Sequence, residues 1–313
     1  MKLKHSLLGI LSFIATATLT SASDAENPVH YHTEQIDGVD IFYREAGNPE
    51  NPAILLLHGF PTSSHMFRNL IQDLKDDFYL IAPDYPGFGN SAQPDIGSFE
   101  YSFDNFAQIV NQLIERIGIE RYSLYLMDYG APVGFRIATA HPERVETLIV
   151  QNGNAYAEGL REFWDPIRTY WANPSTETAA PLAFAYSPEG VKWQYTDGTR
   201  NPSAISPDNW VNDRAHLDRN GNEEIQLKLF LDYATNLDLY PKWQAFMREH
   251  QPPTLITWGK NDYIFPVEGA HPYKQDLKTL EFHLLDTGHF ALEEDGEFIA
   301  GLIGDFIPKY TKR

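Results

Sequence analysis

The chain has 313 residues, of which 42% are hydrophobic and 21% charged, an ordinary globular composition with enough length for one large or two modest domains. The formal net charge is −19 and no lysine–arginine cluster offsets it, which disfavours nucleic acid and anionic lipid as partners. There is no cysteine, so the fold is held by its core without disulfides.

The N-terminus has the pattern of a secretory signal peptide. Two lysines within the first four residues precede an apolar run over 7–17, and small residues follow it. This run is too short to span a bilayer, and no later stretch reaches the roughly 20 apolar residues required, so we expect no stable membrane insertion. We expect residues 1–25 to be removed, with cleavage between Ala22 and Ala25, and the mature protein to be periplasmic or secreted.

Short apolar runs alternating with helical segments predict a mostly parallel, doubly wound α/β sheet. The candidate strands cover 39–45, 53–57, 78–82, 122–127, 146–151, 254–258 and 281–285. Helical periodicity covers 103–117 and 292–307. Residues 26–154 and 240–313 are therefore assigned to an α/β core.

The segment 155–239 differs, because it contains no clear strand and is rich in aromatic residues. We interpret it as a mainly helical cap over the carboxyl edge of the sheet, where α/β folds bind ligands. Most of its aromatic side chains are expected to pack in the cap rather than to contact substrate.

One acidic residue stands where a predicted strand turns into a helix. The apolar run 122–127 ends at Asp128, Gly130 follows, and a helical pattern then begins. This is the pattern of a nucleophile elbow, a strained turn that lifts its apex side chain above the sheet. A carboxylate suits attack on an alkyl carbon, because the product ester can still be hydrolysed. The alternative is that Asp128 only caps the next helix, and this stretch alone leaves both interpretations open.

Three further loops follow predicted strands and carry Phe60, Asp262 and His289. A nucleophile, then an acid, then a histidine is the chain order of a hydrolase triad, so we predict the triad Asp128, Asp262 and His289. The backbone amides of Phe60 and Tyr129 are expected to form the oxyanion hole. No group of His, Cys and carboxylate residues has metal-ligand spacing, so we expect no metal and no organic cofactor.

Four motifs together resemble the α/β-hydrolases with an aspartate nucleophile, the group that contains epoxide hydrolases and haloalkane dehalogenases. They are His-Gly-Phe-Pro at 58–61, Asp-Tyr-Pro-Gly-Phe-Gly-Asn-Ser at 84–91, Asp-Tyr-Gly at 128–130 and Gly-His at 288–289. The likeness covers nearly the whole chain after the signal segment and is looser in the cap. It implies an α/β-hydrolase fold and hydrolysis through a covalent alkyl ester of Asp128.

Several positions discriminate within that group. Phe60 resembles the epoxide hydrolases, whereas the Thr-Ser-Ser run at 62–64 looks more like the dehalogenases. Tyr129 stands where dehalogenases have a halide-binding tryptophan. Some dehalogenases take the triad acid from the strand before the cap, where this chain has Asn152. An asparagine cannot act as the carboxylate, so Asp262 keeps that role, and nearby Glu158 is its only rival.

The elbow departs from the family pattern at one position. Leu126 lies two residues before the nucleophile, where a small residue is usual. The turn must therefore accommodate its side chain by a local adjustment.

Epoxide hydrolases also protonate the leaving oxygen with cap tyrosines. The resemblance gives this role to Tyr233 and, as the first of the pair, to Tyr170, for which core packing is the alternative. Trp164 and Trp171 are candidate pocket residues, and either would replace the missing halide donor in a dehalogenase. We expect a hydrolase that uses water to open small apolar epoxides. The alternatives are a haloalkane dehalogenase and a secreted hydrolase-like binding protein without catalysis.

Overall fold

The structure is a computed structural model that describes residues 27–311, so the expected signal peptide lies outside the described residues. Eight strands form one sheet in the order β1-β2-β4-β3-β5-β6-β7-β8. They are β1 His30–Ile36, β2 Val39–Ala46, β3 Ala53–Leu57, β4 Tyr79–Pro83, β5 Tyr122–Met127, β6 Val145–Gln151, β7 Thr254–Gly259 and β8 Leu280–Leu285.

Only β2 runs in the direction opposite to the other strands. Strand β1 pairs antiparallel with β2, and β2 pairs antiparallel with β4, whereas every pairing from β4 to β8 is parallel. The four strands β3, β4, β5 and β7 are buried along their whole length, because their continuous apolar runs are covered on both faces. The expected fold class, a mostly parallel α/β-hydrolase sheet, is confirmed.

Strand β1 was not predicted from the sequence. It joins β2 through the turn residues Asp37 and Gly38, whose φ angles are +49° and +80°. Two positive φ angles are the geometry of a tight hairpin turn, and Asp-Gly is a favoured pair for it. The seven strands and the two helices that the sequence predicts are all present, and their ends differ from the predicted ones by one residue at most.

Helices cover both faces of the sheet. Those outside the inserted segment are α1 Arg68–Leu74, α2 Phe103–Ile117, α3 Gly130–Ala140, α11 Tyr273–Asp276 and α12 Leu292–Phe306. Helix α2 has a strongly apolar face, a Ser102 side chain that caps its N-terminus and a left-handed Gly118 that ends it. Within residues 27–311, no helix is both long and apolar enough to cross a membrane.

Between β6 and β7 the chain is helical in every regular element. The helices are α4 Asp165–Ala172, α5 Thr176–Ala179, α6 Ala183–Tyr186, α7 Pro188–Thr196, α8 Asp208–Leu217, α9 Asn222–Asp232 and α10 Ala234–His250. The expected cap boundary at residue 239 falls inside α10, and the second half of that helix packs on the core, where Trp243 stacks on Phe135 of α3 at 5.3 Å between ring centroids. The limits of the cap as a domain stay a prediction.

Candidate active site

Asp128 sits at the apex of a strained turn between β5 and α3. Its φ is +49°, a left-handed value that non-glycine residues rarely adopt, and its side chain is buried. The N-cap residue of α3 is Tyr129 and not Asp128, and no side chain caps the helix there. Instead, Oδ1 of Asp128 accepts a hydrogen bond of 2.6 Å from the backbone N–H of Phe60. The helix-cap alternative is therefore wrong, and the carboxylate faces the loop that follows β3.

A glycine on α3 makes room for Leu126. A Cβ atom at Gly134 would lie 2.1 Å from Cδ2 of Leu126, far inside van der Waals contact. The side chain of Leu126 is thus accommodated because Gly134, one helical turn into α3, has no side chain. This is the local adjustment that the sequence required, and the elbow keeps its left-handed apex.

The loop after β3 approaches the carboxylate closely because Gly59 has no side chain. A Cβ atom there would lie 2.3 Å from Cβ of Asp128. The backbone N–H groups of Phe60 and Tyr129 both donate to the Asp128 carboxylate and lower its pKa. These are the two donors expected for the oxyanion hole; the Phe60 N–H is on Oδ1, while Oδ2 lies on the side of His289.

Behind Asp128, the other two expected triad residues form a hydrogen-bonded pair. Nδ1 of His289 is 2.8 Å from Oδ2 of Asp262, while its Nε2 lies 3.9 Å from Oδ2 of Asp128 and has no partner among the described residues. Because a carboxylate only accepts, the proton is on Nδ1, and the Nε2 lone pair faces Asp128. A water molecule between Nε2 and Asp128 would lie within reach of both.

Asp262 is itself fixed by two donors. Its Oδ1 accepts from the backbone N–H of Ile264 at 2.7 Å, and its Oδ2 accepts from Nδ2 of Asn152 at 2.7 Å. Asn152 has a φ of +47° and also exchanges hydrogen bonds with both backbone groups of Gly259. The rival acid Glu158 lies exposed in a short 3-10 helix, and within residues 27–311 Asp262 is the carboxylate that hydrogen-bonds His289.

Burial and charge act in opposite directions on the reacting pair. Burial raises the pKa of Asp128 to about 6, although His289 and the two backbone donors pull it down. Burial also lowers the pKa of His289, but the Asp262 carboxylate and then Asp128 outweigh it and leave that pKa raised. Near neutral pH the Asp128 carboxyl is therefore mostly ionised, and His289 holds its proton more tightly than an ordinary imidazole.

Tyr233 lies over the catalytic group in an aromatic enclosure. Its ring is 4.4 Å from Trp164, 5.7 Å from Phe103 and 6.2 Å from Tyr129, and the side chain is fully buried. The hydroxyl has no hydrogen-bond partner within residues 27–311. Burial, its neighbour Tyr240 and Asp128 raise the pKa of Tyr233 far above its ordinary value, so it stays protonated. The hydroxyl of Tyr129 is likewise buried and unpaired in the described chain.

The two tryptophans line this enclosure but have no free donor. Nε1 of Trp164 donates to the carbonyl of Ile264 at 2.8 Å, and Nε1 of Trp171 donates to the carbonyl of Phe230 at 2.6 Å. The expectation that either indole would replace the missing halide donor is therefore wrong, because each N–H already has a buried acceptor.

The structure places Tyr170 elsewhere. It is half-buried and lines a groove on the cap with Tyr186 and Leu227, whereas its neighbour Trp171 points to Tyr233. The expectation that Tyr170 donates to the leaving oxygen does not agree with this position. The sequence already indicated that Tyr170 points away from the enclosure. Trp164, Ile167 and Trp171 have the spacing of one helix face, and Tyr170 is rotated by about 100° from Trp171.

An apolar groove of about 290 Å³ enters the cap above the site. Phe230 forms part of its wall, and the Phe230 ring meets Phe60 edge-on at 5.4 Å. Its other lining residues are Glu162, Phe163, Pro166, Ile167, Pro181, Leu182, Phe184, Ala185, Trp193 and Tyr263. Phe230 therefore separates an outer apolar groove from the loop that holds Asp128.

A buried carboxylate on a strand-to-helix elbow, two backbone donors beside it and a histidine–aspartate pair behind it define a hydrolase site. A family model for the alpha/beta hydrolase fold matches residues 52–296, and the chain belongs to this family.

Relatives include several enzyme types. The chain is 44% identical over 268 residues to the uncharacterized hydrolase YNR064C of Saccharomyces cerevisiae, which covers 84% of this chain and 92% of the yeast protein. Haloalkane dehalogenase 2 of Mycobacterium tuberculosis is 36% identical over 112 residues, or 36% of this chain and 38% of that protein. The solved structure of the epoxide hydrolase CorEH matches with a TM-score of 0.74 at 20% identity, over 90% of this chain and 99% of the other, a likeness of fold alone.

Proposed function

We propose that this hydrolase opens small apolar epoxides through a covalent ester on Asp128. The observation that carries the proposal is the Tyr233 hydroxyl, which is buried near Asp128 and unpaired within the described residues. An epoxide oxygen needs a proton as its carbon–oxygen bond breaks, and a phenol can supply one. The uncharacterized yeast relative and the fold of CorEH are compatible with this activity.

In the first half-reaction the free Oδ2 of Asp128 attacks a ring carbon in line with the breaking carbon–oxygen bond. The bonding electron pair moves to the epoxide oxygen, which takes the hydroxyl proton of Tyr233. Oδ1 stays against the backbone N–H groups of Phe60 and Tyr129 and becomes the ester carbonyl oxygen.

In the second half-reaction Nε2 of His289 removes a proton from water, and the hydroxide attacks the ester carbon of Asp128. The same two N–H groups, of Phe60 and Tyr129, stabilise the tetrahedral oxyanion. Asp262 holds the histidine in the required tautomer through Nδ1. The diol leaves, and the proton released by hydrolysis returns to Tyr233.

The surroundings favour an apolar substrate. Rings of Phe103, Tyr129, Trp164 and Tyr233 pack around the space beside Asp128, and the groove outside Phe230 is also mainly apolar. A bound alkyl or aryl group would replace water against these rings.

A haloalkane dehalogenase is the second candidate, since one relative carries that name over part of its length. A departing halide needs hydrogen-bond donors but no proton. Both cap tryptophans already donate to carbonyls, whereas the phenols of Tyr129 and Tyr233 are unpaired within residues 27–311. Because a phenol can also transfer its proton, epoxide opening has the stronger support. The intact His289–Asp262 hydrogen bond favours an enzyme over a non-catalytic binding protein.

The variant Tyr233→Phe tests the reaction type. We expect it to slow ester formation from styrene oxide by roughly 10²-fold, the size of a typical general-acid contribution, and to change the rate with 1-bromobutane little. Faster turnover of the bromoalkane by the unaltered protein, or full epoxide activity in Tyr233→Phe, would favour the dehalogenase instead.

We also propose that the protein is exported, from the charged and apolar pattern of residues 1–25. N-terminal sequencing of protein purified from its native host should find a first residue between 21 and 26. A retained Met1 in cytosolic material would contradict export.

A further inference from the structure

Tyr233 lies at the joint between two cap helices, where it ends α9 and directly precedes α10. The position of a side chain at such a joint depends on how the residues on both sides of it are held. Three neighbours of Tyr233 in the chain form hydrogen bonds with the helices of the core, and these neighbours are Asp232, Thr235 and Asn236.

The residue before Tyr233 binds the start of α2. Oδ2 of Asp232 accepts a hydrogen bond of 2.7 Å from the backbone N–H of Phe103, the first residue of that helix. This N–H has no acceptor within its own helix, so a carboxylate is a favourable partner there. The ring of Phe103 also meets the Tyr233 ring edge-on at 5.7 Å between centroids. One residue of α2 therefore contacts both the backbone before Tyr233 and its ring.

The residues after Tyr233 are bound by one buried arginine of α3. Nη2 of Arg136 donates to Oγ1 of Thr235 at 3.0 Å, and Nη1 donates to Oδ1 of Asn236 at 2.6 Å. Arg136 is 9% exposed and Asn236 is fully buried, so water competes little for the second of these hydrogen bonds. Arg136 therefore joins the start of α10 to the helix that begins at the elbow.

The guanidinium of Arg136 is itself held by the core. Its Nε donates to Asp104 on α2, and its Nη1 also donates to the backbone carbonyl of Pro132 at 3.1 Å. Its Cζ lies 5.7 Å from the centroid of the Phe103 ring and 5.6 Å from that of Trp243, within the range of a cation–π contact. All three nitrogen atoms have protein acceptors, an arrangement that suits the planar fork of arginine and that lysine cannot reproduce.

We propose that Arg136 is a positioning residue for the proton donor Tyr233, because it binds the start of α10 to the core. The inference rests on the proposed function. When the ring carbon–oxygen bond breaks, its electron pair goes to the oxygen, and the oxygen takes the Tyr233 proton. The phenol must be correctly placed in this step, whereas ester hydrolysis depends on His289. A loosened joint therefore slows ester formation and spares ester hydrolysis.

Two substitutions of Asn236 separate its hydrogen bond from its packing. Asn236→Leu keeps the approximate volume and removes the acceptor for Arg136, whereas Asn236→Asp keeps an acceptor and gives it a charge. The Nδ2 atom that both variants lose has no partner within residues 27–311. Asn111→Leu is the matched control, because Oδ1 of Asn111 accepts from Arg144 at 2.9 Å beside the amino end of β6, the edge of the sheet away from Asp128.

Both half-reactions are measured with styrene oxide in quenched single turnovers, followed by mass spectrometry of the intact protein. We expect Asn236→Leu to slow ester formation by about tenfold and to leave ester hydrolysis within about twofold, because a displaced donor lowers the rate of the step that uses it. Asn236→Asp and Asn111→Leu should keep both rates within about twofold. In a Tyr233→Phe background, Asn236→Leu should change ester formation by less than about twofold, since the donor through which it acts is gone.

Unchanged ester formation in Asn236→Leu would overturn the positioning role while leaving the proposed function in place. Equal slowing of both half-reactions, or the same loss in the Tyr233→Phe background, would also overturn it, because the effect would then not act through the phenol. An equal loss in Asn236→Asp would show that the hydrogen bond to Arg136 is not what matters and would overturn it as well.

If the unaltered protein forms no ester with any epoxide, the proposed function fails, and the positioning role fails with it. Thermal unfolding of each variant shows which of them are folded. If Asn236→Leu is unfolded, Thr235→Val takes its place, because it removes the other α10 acceptor of Arg136 at a position closer to solvent. The same slowing of ester formation alone is expected for it, and unchanged ester formation in Thr235→Val would then overturn the positioning role.

Discussion

The Asp128 carboxylate is held by opposing effects at the scale of single residues. Burial disfavours its charge, while two backbone N–H groups and the His289 imidazole favour it, and the balance leaves a pKa of about 6. A nucleophile with this pKa is ionised at neutral pH yet poorly hydrated, which suits attack on a weak electrophile. Because the carboxylate is buried, losing either backbone donor would destabilise its ionised form and raise its pKa further.

These shifts predict how acid affects the two half-reactions. The pKa of Asp128 is raised to about 6, and attack needs the ionised form, so ester formation falls as the pH drops below about 6. The pKa of His289 is also raised against the effect of burial, first by Asp262 and then by Asp128. Ester hydrolysis needs the neutral imidazole, and in the ester, where Asp128 carries no charge, Asp262 still raises this pKa. Hydrolysis is therefore lost at a higher pH than ester formation.

Acid-quenched samples at steady state should show this order directly. Between pH 8 and pH 6 the fraction of enzyme present as the ester should rise, because hydrolysis slows first. A fraction that falls steadily over this range would show that His289 is not the group that limits hydrolysis.

The sequence predicted that Asp128, Asp262 and His289 lie together, but not which side chains support them. Asp128, Asp262 and His289 could be predicted because each follows an apolar strand, and parallel strands end at one edge. The hydrogen bond from Asn152 to Asp262 spans 110 positions. No local pattern reports such a pair, since an asparagine after a strand is also an ordinary turn residue.

At the scale of elements, the elbow depends on how β5 and α3 pack together. Leu126 fills the space that Gly134 leaves open, and a Cβ there would be 2.1 Å from Cδ2 of Leu126. The sequence showed that Leu126 is too large for the usual turn, but the residue that makes room for it lies on another element and was visible only in three dimensions.

Strand β1 was not predicted, although its Asp37-Gly38 turn is a recognisable hairpin signal. Most residues of β1 are exposed or half-buried, so the strand shows only weak alternation of apolar and polar residues.

Gly134→Ala should therefore destabilise the fold by about 1–3 kcal/mol, the usual cost of overpacking a core. In a Leu126→Ala background the same change should cost less, because the 2.1 Å clash is gone and only the milder contact with Cδ1 of Leu57 at 3.0 Å is left. Alanine also favours a helix over glycine. Urea unfolding of the four proteins measures this coupling.

Gly301→Ala is the matched control, since a Cβ at Gly301, also on a helix, meets no atom within 4 Å. It should leave stability unchanged or raise it by up to about 1 kcal/mol. Equal costs of Gly134→Ala in both backgrounds would mean that Leu126 is not what occupies the space.

At the scale of the whole molecule, we expect the cap to select what reaches the sheet edge. The groove of about 290 Å³ is largely apolar and meets the catalytic loop at Phe230. We expect it to take the apolar group of larger substrates, while the smallest epoxides need only the space beside Asp128.

Ala185→Trp, which fills this groove, should lower kcat/KM for styrene oxide by at least about tenfold and for 1,2-epoxypropane by less than about twofold. Ala183→Trp is the matched control, because Ala183 lines other grooves on the cap and not this one. Equal losses with both substrates, or equal effects of both variants, would show that the groove does not select the substrate.

The central claim is that Asp128 forms an ester with an epoxide, and trapping that ester tests it most directly. His289→Gln removes the base needed for hydrolysis and leaves the Asp128 attack in place, so the ester should accumulate. The variant is incubated with a mixture of epoxides and haloalkanes, and the masses of the intact protein and of its peptides are measured by mass spectrometry. We expect a mass increase equal to one whole epoxide, located on Asp128 and absent in Asp128→Ala. An adduct equal to a haloalkane without its halide, an adduct on another residue, or no adduct at all would contradict it.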